Sequence, residues 1–211
     1  MKLRLGFLAS HGGSSMQAIH KAIQAGKLNA EACVLISNNS QSRAAAFAKE
    51  NSIPTYHLSL KTAHPPELLD RAILDTLIAH DVQFVILSGY MKKLGPQTLS
   101  TYKNRILNIH PALLPKFGGQ GMYGNHIHEA VLVAKEKMTG ITIHLVDEFY
   151  DHGTIIAQCQ VPVLETDTAE SLATRVKERE RRFFVEVLQQ LSQNHRKEVV
   201  RVWQETLKHE Q

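Results

Sequence analysis

Asn108 and His110 are the two side chains whose types and spacing are best suited to chemistry. They end the segment RILNIH, residues 105–110, which we predict to be a β-strand, and on a strand residues two apart project from the same face. A carboxamide and an imidazole side by side can stabilise an oxyanion, because both can donate hydrogen bonds to it and the imidazole can also donate a proton. The alternative is a polar pair that only caps the following loop.

Asp151, in the segment DEFYDHG, is the third candidate for chemistry. A carboxylate close to His110 would orient the imidazole and stabilise its cationic form. An aspartate before His-Gly between two strands is also typical of a turn. The spacing along the chain leaves both interpretations open.

The segment SHGGSS, residues 10–15, follows the first predicted strand and opens a helix. Gly12 and Gly13 let the backbone approach a ligand, the helix N-terminus offers N–H groups to an anion, and Ser14 and Ser15 add hydroxyl donors. The segment is neither a dinucleotide-binding G-x-G-x-x-G nor a Walker A loop. Phosphate binding and a simple turn with Ser14 or Ser15 as the N-cap therefore both remain possible.

Twelve histidines raise the question of a metal site. His126 and His128 are two residues apart and precede Glu129, but residues two apart on a helix diverge. The sequence contains no H-E-x-x-H motif, and no metal is predicted. His144 alternates with Thr142 on a predicted strand, so it is as well explained by a structural hydrogen bond as by a role in a site.

These side chains need a scaffold, and apolar runs alternate with helical patterns along the first half of the chain. Strands are predicted at residues 3–10, 31–37, 55–59 and 82–90, and helices at residues 15–24, 41–51 and 66–81. The alternation predicts an α/β fold, a mostly parallel twisted sheet with helices on both faces. In such sheets ligands bind beyond the carboxyl ends of the strands, here near Ser10, Ser88 and His110.

The second half of the chain has a different pattern, with antiparallel strands. After the strand at 105–110 we predict a loop, a helix, two alternating strands and a long helix, at residues 111–125, 126–136, 139–151, 154–164 and 168–193. Asp167 is the predicted N-cap of the long helix, with Glu170 three residues on. We expect one catalytic domain over residues 1–193 and a polar tail over 194–211.

The composition of the 211 residues is that of an ordinary globular protein, with 43% hydrophobic and 21% charged residues. No segment approaches the ~18 apolar residues of a membrane span, and the basic, apolar N-terminus is too short for a signal peptide. Cys33 and Cys159 lie in apolar runs, which favours buried thiols in a reducing compartment such as the cytoplasm. The net charge of +4 suits small anionic ligands better than nucleic acid, and the basic run at 177–182 alternates in sign like a solvated helix face.

Taken together, these residues resemble the phosphoribosylglycinamide formyltransferase family from about residue 3 to residue 185. The segment NIHPALLP, residues 108–115, is similar to the family signature Asn-Ile-His-Pro-Ser-Leu-Leu-Pro, and Asp151 falls where the family carries its catalytic aspartate. The resemblance implies a Rossmann-like formyltransferase fold, 10-formyltetrahydrofolate as co-substrate, no metal, and direct transfer of formyl to the amine of 5-phosphoribosylglycinamide in purine synthesis. It also implies small-molecule substrates, no nucleic-acid or membrane partner, and a monomer or homodimer.

The resemblance also implies roles for individual residues. The residues implied for catalysis are Asn108, His110 and Asp151; for the substrate phosphate and ribose, Gly12, Gly13, Ser14, Ser15 and Glu180; and for the folate, Met91, Lys92, Lys93 and Leu94 together with Asn108. The chain departs from the family pattern at three places. Ser15 replaces an asparagine, Lys92 replaces an arginine, and no arginine stands at residues 64–66, where the family has one that meets the folate.

Related enzymes with a similar core offer alternatives. Formyltetrahydrofolate deformylase adds an N-terminal domain and methionyl-tRNA formyltransferase adds a C-terminal one, whereas we expect the core here to begin at residue 3 and only a short tail to follow the last helix. A sugar N-formyltransferase, a formyltetrahydrofolate hydrolase and a non-catalytic ligand-binding α/β protein remain open.

Overall fold

The computed structural model of the protein describes residues 2–209, and side chains are described for residues 2–193. In chain order the elements are β1 (Leu3–Ala9), α1 (Ser14–Gln24), β2 (Ala30–Ser37), α2 (Arg43–Glu50), β3 (Thr55–His57), α3 (Pro66–Ala79), β4 (Phe84–Leu87), α4 (Pro96–Thr101), β5 (Ile106–His110), α5 (Asn125–Val133), β6 (Met138–Leu145), β7 (Ile155–Pro162) and α6 (Ala169–His209). The long helix was predicted to end at residue 193, but α6 continues to His209, so the predicted helix end is wrong. The division into a domain over residues 1–193 and a tail over 194–211 stays a prediction.

The strands form one seven-stranded sheet in the order β3-β2-β1-β4-β5-β6-β7. The first five strands in this order run parallel to one another, whereas β5 pairs antiparallel with β6 and β6 antiparallel with β7. The predicted α/β fold with antiparallel strands in the C-terminal half is therefore confirmed. From β1 the chain continues to β2 and β3 on one side of β1 and then crosses to β4 on its other side. A ligand crevice is expected between β1 and β4, where the direction of the strand order reverses.

Two hydrophobic clusters cover the two faces of the sheet. Leu5 and Phe7 of β1 belong to the cluster under α1, α2, α5 and α6, whereas Leu8 of the same strand belongs to the cluster under α3 and α4. Alternate residues of a strand point to opposite faces. The unbroken apolar run of β1 is thus explained by burial on both sides, as is usual for parallel sheets.

Two predicted helix starts are corrected by the structure. Gly13, with a positive φ of 60°, is the N-cap of α1, so Ser14 and Ser15 lie inside the first turn and neither is the cap. Glycine adopts this left-handed conformation without steric cost.

Asp167 is not the N-cap of α6, because the helix begins at Ala169 and the preceding Thr168 makes the capping contacts. Thr168 Oγ1 accepts from the Ser171 N–H at 3.2 Å, and Ser171 Oγ accepts from the Thr168 N–H at 3.0 Å. Asp167 instead pairs with the guanidinium of Arg175, at 2.8 Å.

The two thiols are free, but only one is buried as predicted. Cys33 is buried, whereas Cys159 on the last strand of the sheet is partly exposed. Within residues 2–209 no helix combines the length and apolar character that a membrane span requires.

The short helix α4 was not predicted, and a side chain from α3 accounts for it. Asp70 is 4% exposed and accepts hydrogen bonds from the Gln97 N–H (2.8 Å), the Thr98 N–H (3.1 Å) and the Thr98 hydroxyl (2.6 Å). Asp70 thus satisfies the free N–H groups at the start of α4. Through these bonds Asp70 also fixes the end of the segment that connects β4 to α4.

We expect Asp70→Ala to lower the free energy of unfolding by about 2–4 kcal/mol, because buried donors on α4 lose a charged acceptor. Urea unfolding at neutral pH measures this. The matched control is Asp75→Ala on the same helix, which removes only an exposed pair with Arg71 and should cost less than about 1 kcal/mol. Equal losses in the two variants would contradict the role of Asp70.

Candidate active site

A cavity of about 770 Å³ lies beyond the carboxyl ends of β1, β4 and β5. Its volume is typical of small-molecule sites. Of the residues implied by the resemblance, those that line it are Gly12, Gly13, Ser14, Ser15, Met91, Asn108, His110, Asp151 and Glu180. The site is therefore where the strand order predicts it.

The predicted catalytic side chains meet on one wall of this cavity. Asn108 and His110 project from the same face of β5, as the strand period predicts. His110 is 4% exposed, and its Nδ1 lies 3.4 Å from Asp151 Oδ2. Its Nε2 donates to the carbonyl of Phe117 at 2.7 Å. Both ring nitrogens thus face oxygen acceptors, an arrangement that suits a doubly protonated imidazole.

Asp151 is held in place from several sides. Its backbone has a φ of 54°, a left-handed conformation in which aspartate and asparagine are enriched. Its Oδ2 accepts the N–H of Gly119 at 3.0 Å. Burial raises the pKa of Asp151, but the hydrogen bond and charge of His110, together with the Gly119 N–H, outweigh this and hold the pKa well below its usual range. The carboxyl group is therefore ionised at neutral pH.

His144 is a member of the site that sequence reasoning left undecided. It is 2% exposed, lies opposite Asn108 in the β5–β6 register, and accepts from Asn108 Nδ2 at 3.1 Å through Nε2. Its Nδ1 donates to the carbonyl of Leu145 at 2.8 Å, and its Nε2 lies 3.6 Å from Asp151 Oδ1. His144 orients the Asn108 amide and leaves the second amide N–H for a ligand.

The first turn of α1 presents backbone donors to the cavity. Met16 N–H donates to Ser88 Oγ at 3.0 Å and Gln17 N–H to the Gly13 carbonyl at 3.0 Å. In the part of the chain that is described, the N–H groups of Ser14 and Ser15 have no hydrogen-bond acceptor. Free N–H groups at a helix N-terminus favour an anion.

The segment implied for folate binding only partly reaches the cavity. Met91 lines it, and the Met91 N–H donates to Ser10 Oγ at 2.8 Å. Lys92 is exposed and Leu94 is packed in the core under α3 and α4. Lys93 Nζ donates to the Glu148 carbonyl at 3.0 Å. Contact of Lys92, Lys93 and Leu94 with a folate stays a prediction.

Glu180 reaches the cavity from α6 and is partly buried. Burial raises its pKa to about 7, against the opposing positive charges of Lys177 and His110. Near neutral pH both protonation states are populated, so Glu180 can donate or accept a hydrogen bond.

The glycine-rich loop at residues 117–124, for which the sequence offered no role, forms another wall. Phe117 and Gly119 bond to His110 and Asp151 as described, and residues 119–124 line the cavity. Gly119, Gly121 and Gly124 have φ values of 95°, 90° and 57°, which explains the use of glycine.

The histidines of α5 diverge as predicted. His126 is exposed beside Glu129, whereas His128 is 4% exposed, lines the cavity and has no partner for Nδ1 within the described residues. Burial, followed by the charge of His110, lowers the pKa of His128. Among the side chains described, no group of three or more His, Cys, Asp or Glu residues is placed to hold a metal ion.

Comparison with known proteins agrees with this geometry. Residues 3–188 match the family described as formyl transferase. The chain is 34% identical over 183 residues to the phosphoribosylglycinamide formyltransferase of Bacillus subtilis (strain 168), covering 87% of this chain and 91% of that protein. It is 42% identical over 188 residues to the chloroplastic phosphoribosylglycinamide formyltransferase of Vigna unguiculata, covering 89% of this chain. The chain spans 60% of the length of that plant relative.

A solved structure leads to the same family. The phosphoribosylglycinamide formyltransferase of Bacillus halodurans is 37% identical, with a TM-score of 0.82 over 89% of this chain and 94% of that one. The fold, the matched residues and the relatives therefore agree with the resemblance drawn from the sequence motifs, and the chain belongs to the formyl transferase family.

Proposed function

We propose that the protein transfers the formyl group of 10-formyltetrahydrofolate to the amine of 5-phosphoribosylglycinamide, a step of purine synthesis. One observation carries the proposal: Asn108, His110 and Asp151 meet at one wall of a cavity whose other walls include the free N–H groups of Ser14 and Ser15. The relatives named phosphoribosylglycinamide formyltransferase support the same reaction.

The cavity has a wall suited to each substrate. The first turn of α1 would bind the phosphate of the acceptor. Tyr90, Met91 and Tyr150 line the cavity and offer apolar and aromatic surface for the flat ring of a folate. Burial raises the pKa of Tyr90 to about 12, so its hydroxyl stays neutral. The folate would supply the formyl carbon that the amine attacks. The bond from that carbon to the folate nitrogen then breaks, and the proton lost by the amine passes to the departing tetrahydrofolate.

The side chains at the catalytic wall would stabilise the charge that develops on the formyl oxygen. The second N–H of the Asn108 amide donates to that oxygen. His110 donates as well, once its Nε2–H exchanges the Phe117 carbonyl for the substrate. Asp151 remains ionised, orients the His110 imidazole, stabilises positive charge that develops on it and assists proton movement. The loop at 117–124 must therefore shift when substrate binds.

The proposal is tested by mixing the protein with 10-formyltetrahydrofolate and following the folate absorbance, with and without 5-phosphoribosylglycinamide. We expect formyl loss only when the acceptor is present. Loss without acceptor would identify a hydrolase, and transfer only to amino sugars would identify a sugar N-formyltransferase. Thermal stabilisation by the folate without turnover would identify a binding protein.

A further inference from the structure

Arg43 is a cation at the wall of the cavity for which neither the motifs nor the resemblance gives a role. It is the first residue of α2 and lines the cavity together with Gly12 and Gly13. The Ala44 N–H donates to the His11 carbonyl at 3.0 Å, and a Cβ added to Gly13 would lie 2.8 Å from the Cβ of Ala44. The start of α2 is thus packed directly against the loop that precedes α1.

The guanidinium of Arg43 is not occupied by the protein itself. Other arginines form ion pairs, among them Arg4, Arg71, Arg175, Arg179 and Arg182. Arg43 is exposed, and its guanidinium has no hydrogen bond or ion pair within the described residues. Five N–H donors in a planar fork are therefore left for a ligand at this wall.

The neighbouring loop supplies donors but little charge. Ser15 is 4% exposed and lines the cavity, and its hydroxyl has no partner among the described residues. With the N–H groups of Ser14 and Ser15, it can hold phosphate oxygens but cannot balance two negative charges. His11 and Lys177 also line the cavity, Lys177 from α6, where its charge opposes the effect of burial on the pKa of Glu180. Within the described residues, Arg43 is a permanently charged group beside the loop that forms no ion pair.

We propose that Arg43 binds the phosphate of the acceptor substrate and makes the site select phosphorylated amines over uncharged ones. This inference rests on the proposed function, which supplies a phosphorylated acceptor. Guanidinium–phosphate contacts are charge-assisted and often bidentate, so they contribute both affinity and orientation. Lysine keeps the charge but not the planar fork.

The test measures binding of ribose 5-phosphate and of 5-phosphoribosylglycinamide by calorimetry to the wild type, Arg43→Gln, Arg43→Lys and Lys49→Gln. We expect Arg43→Gln to weaken both ligands by about tenfold to a hundredfold, because a charge-assisted hydrogen bond is lost, and Arg43→Lys to recover part of that loss. Lys49→Gln removes an exposed charge from the same helix and should leave affinity unchanged. In turnover assays KM for the acceptor should rise while kcat and the KM for the folate stay near wild type.

Two results would overturn the inference, and they differ from failure of the proposed function. If the wild type binds both ligands and Arg43→Gln binds them equally well, Arg43 is not a phosphate ligand. If the wild type binds neither ligand, the phosphate site itself is refuted, and Arg43 with it. Absence of formyl transfer by a wild type that binds ribose 5-phosphate more tightly than Arg43→Gln does would refute only the proposed reaction and would leave the role of Arg43 supported.

Discussion

Replacement of His110 by alanine is expected to lower kcat for formyl transfer by about 10²- to 10⁴-fold, the usual range for loss of a positioned acid–base group. The His110 imidazole can both donate a proton and bear charge, and it is buried between Asp151 and Phe117. Its removal leaves Asn108 as the remaining donor of the predicted pair. The KM of each substrate should change much less than kcat, because the phosphate and folate walls are untouched.

His126→Ala is the matched control, since it removes an exposed imidazole whose partner is Glu129. This variant should retain wild-type kcat. Circular dichroism and urea unfolding of His110→Ala separate loss of chemistry from loss of structure, and His110→Gln keeps more of the side-chain volume if the alanine variant unfolds. A folded His110 variant with full activity would refute the catalytic assignment.

The fold could largely be predicted from the sequence because its elements are specified by local patterns. The parallel strands are continuous apolar runs, and α1 to α3 carry helical spacing between them. The exceptions have two causes, one contact distant in sequence and two local choices between neighbouring cap residues. The six-residue α4 depends on Asp70 from another helix. At the start of α1 the N-cap is a left-handed glycine and not one of the serines that follow it. At the start of α6 the capping contacts are made by Thr168 and not by the neighbouring aspartate.

The candidate site could be predicted only in part. Asn108 and His110 were identifiable because the period of a strand places them on one face. Asp151 could be separated from a turn residue only by resemblance, because its contact with His110 spans 41 residues and depends on a left-handed backbone. His144 was undecided because the sequence does not state which strand pairs with β5. Arg43 gave no signal, because its place at the cavity follows from the packing of α2 on the loop before α1.

Replacement of Asp151 by asparagine is expected to lower kcat by about 10²- to 10⁴-fold, because the neutral amide no longer stabilises a protonated His110. Asparagine is the appropriate substitution, since it tolerates the left-handed backbone at residue 151 and keeps the side-chain shape. Asp147→Asn is the control in the same loop, where the carboxylate pairs with the exposed His152, and its kcat should stay near wild type. Equal activity in Asp151→Asn and the wild type would remove the carboxylate from the mechanism.

The same variant has a pH signature that a purely structural role in the loop would not produce. The pKa of Asp151 is depressed in the folded protein, so its ionisation stabilises the fold above the ordinary carboxyl pKa of ~4 and this stabilisation is lost as the pH falls below that value. The difference in unfolding free energy between the wild type and Asp151→Asn should therefore be largest at pH 5 to 7 and shrink toward pH 3. Urea unfolding at pH 7, 5 and 3 measures it. A difference that is constant with pH would mean that the His110 imidazole does not stabilise the ionised carboxylate, and the effect of the substitution on kcat would then need another cause.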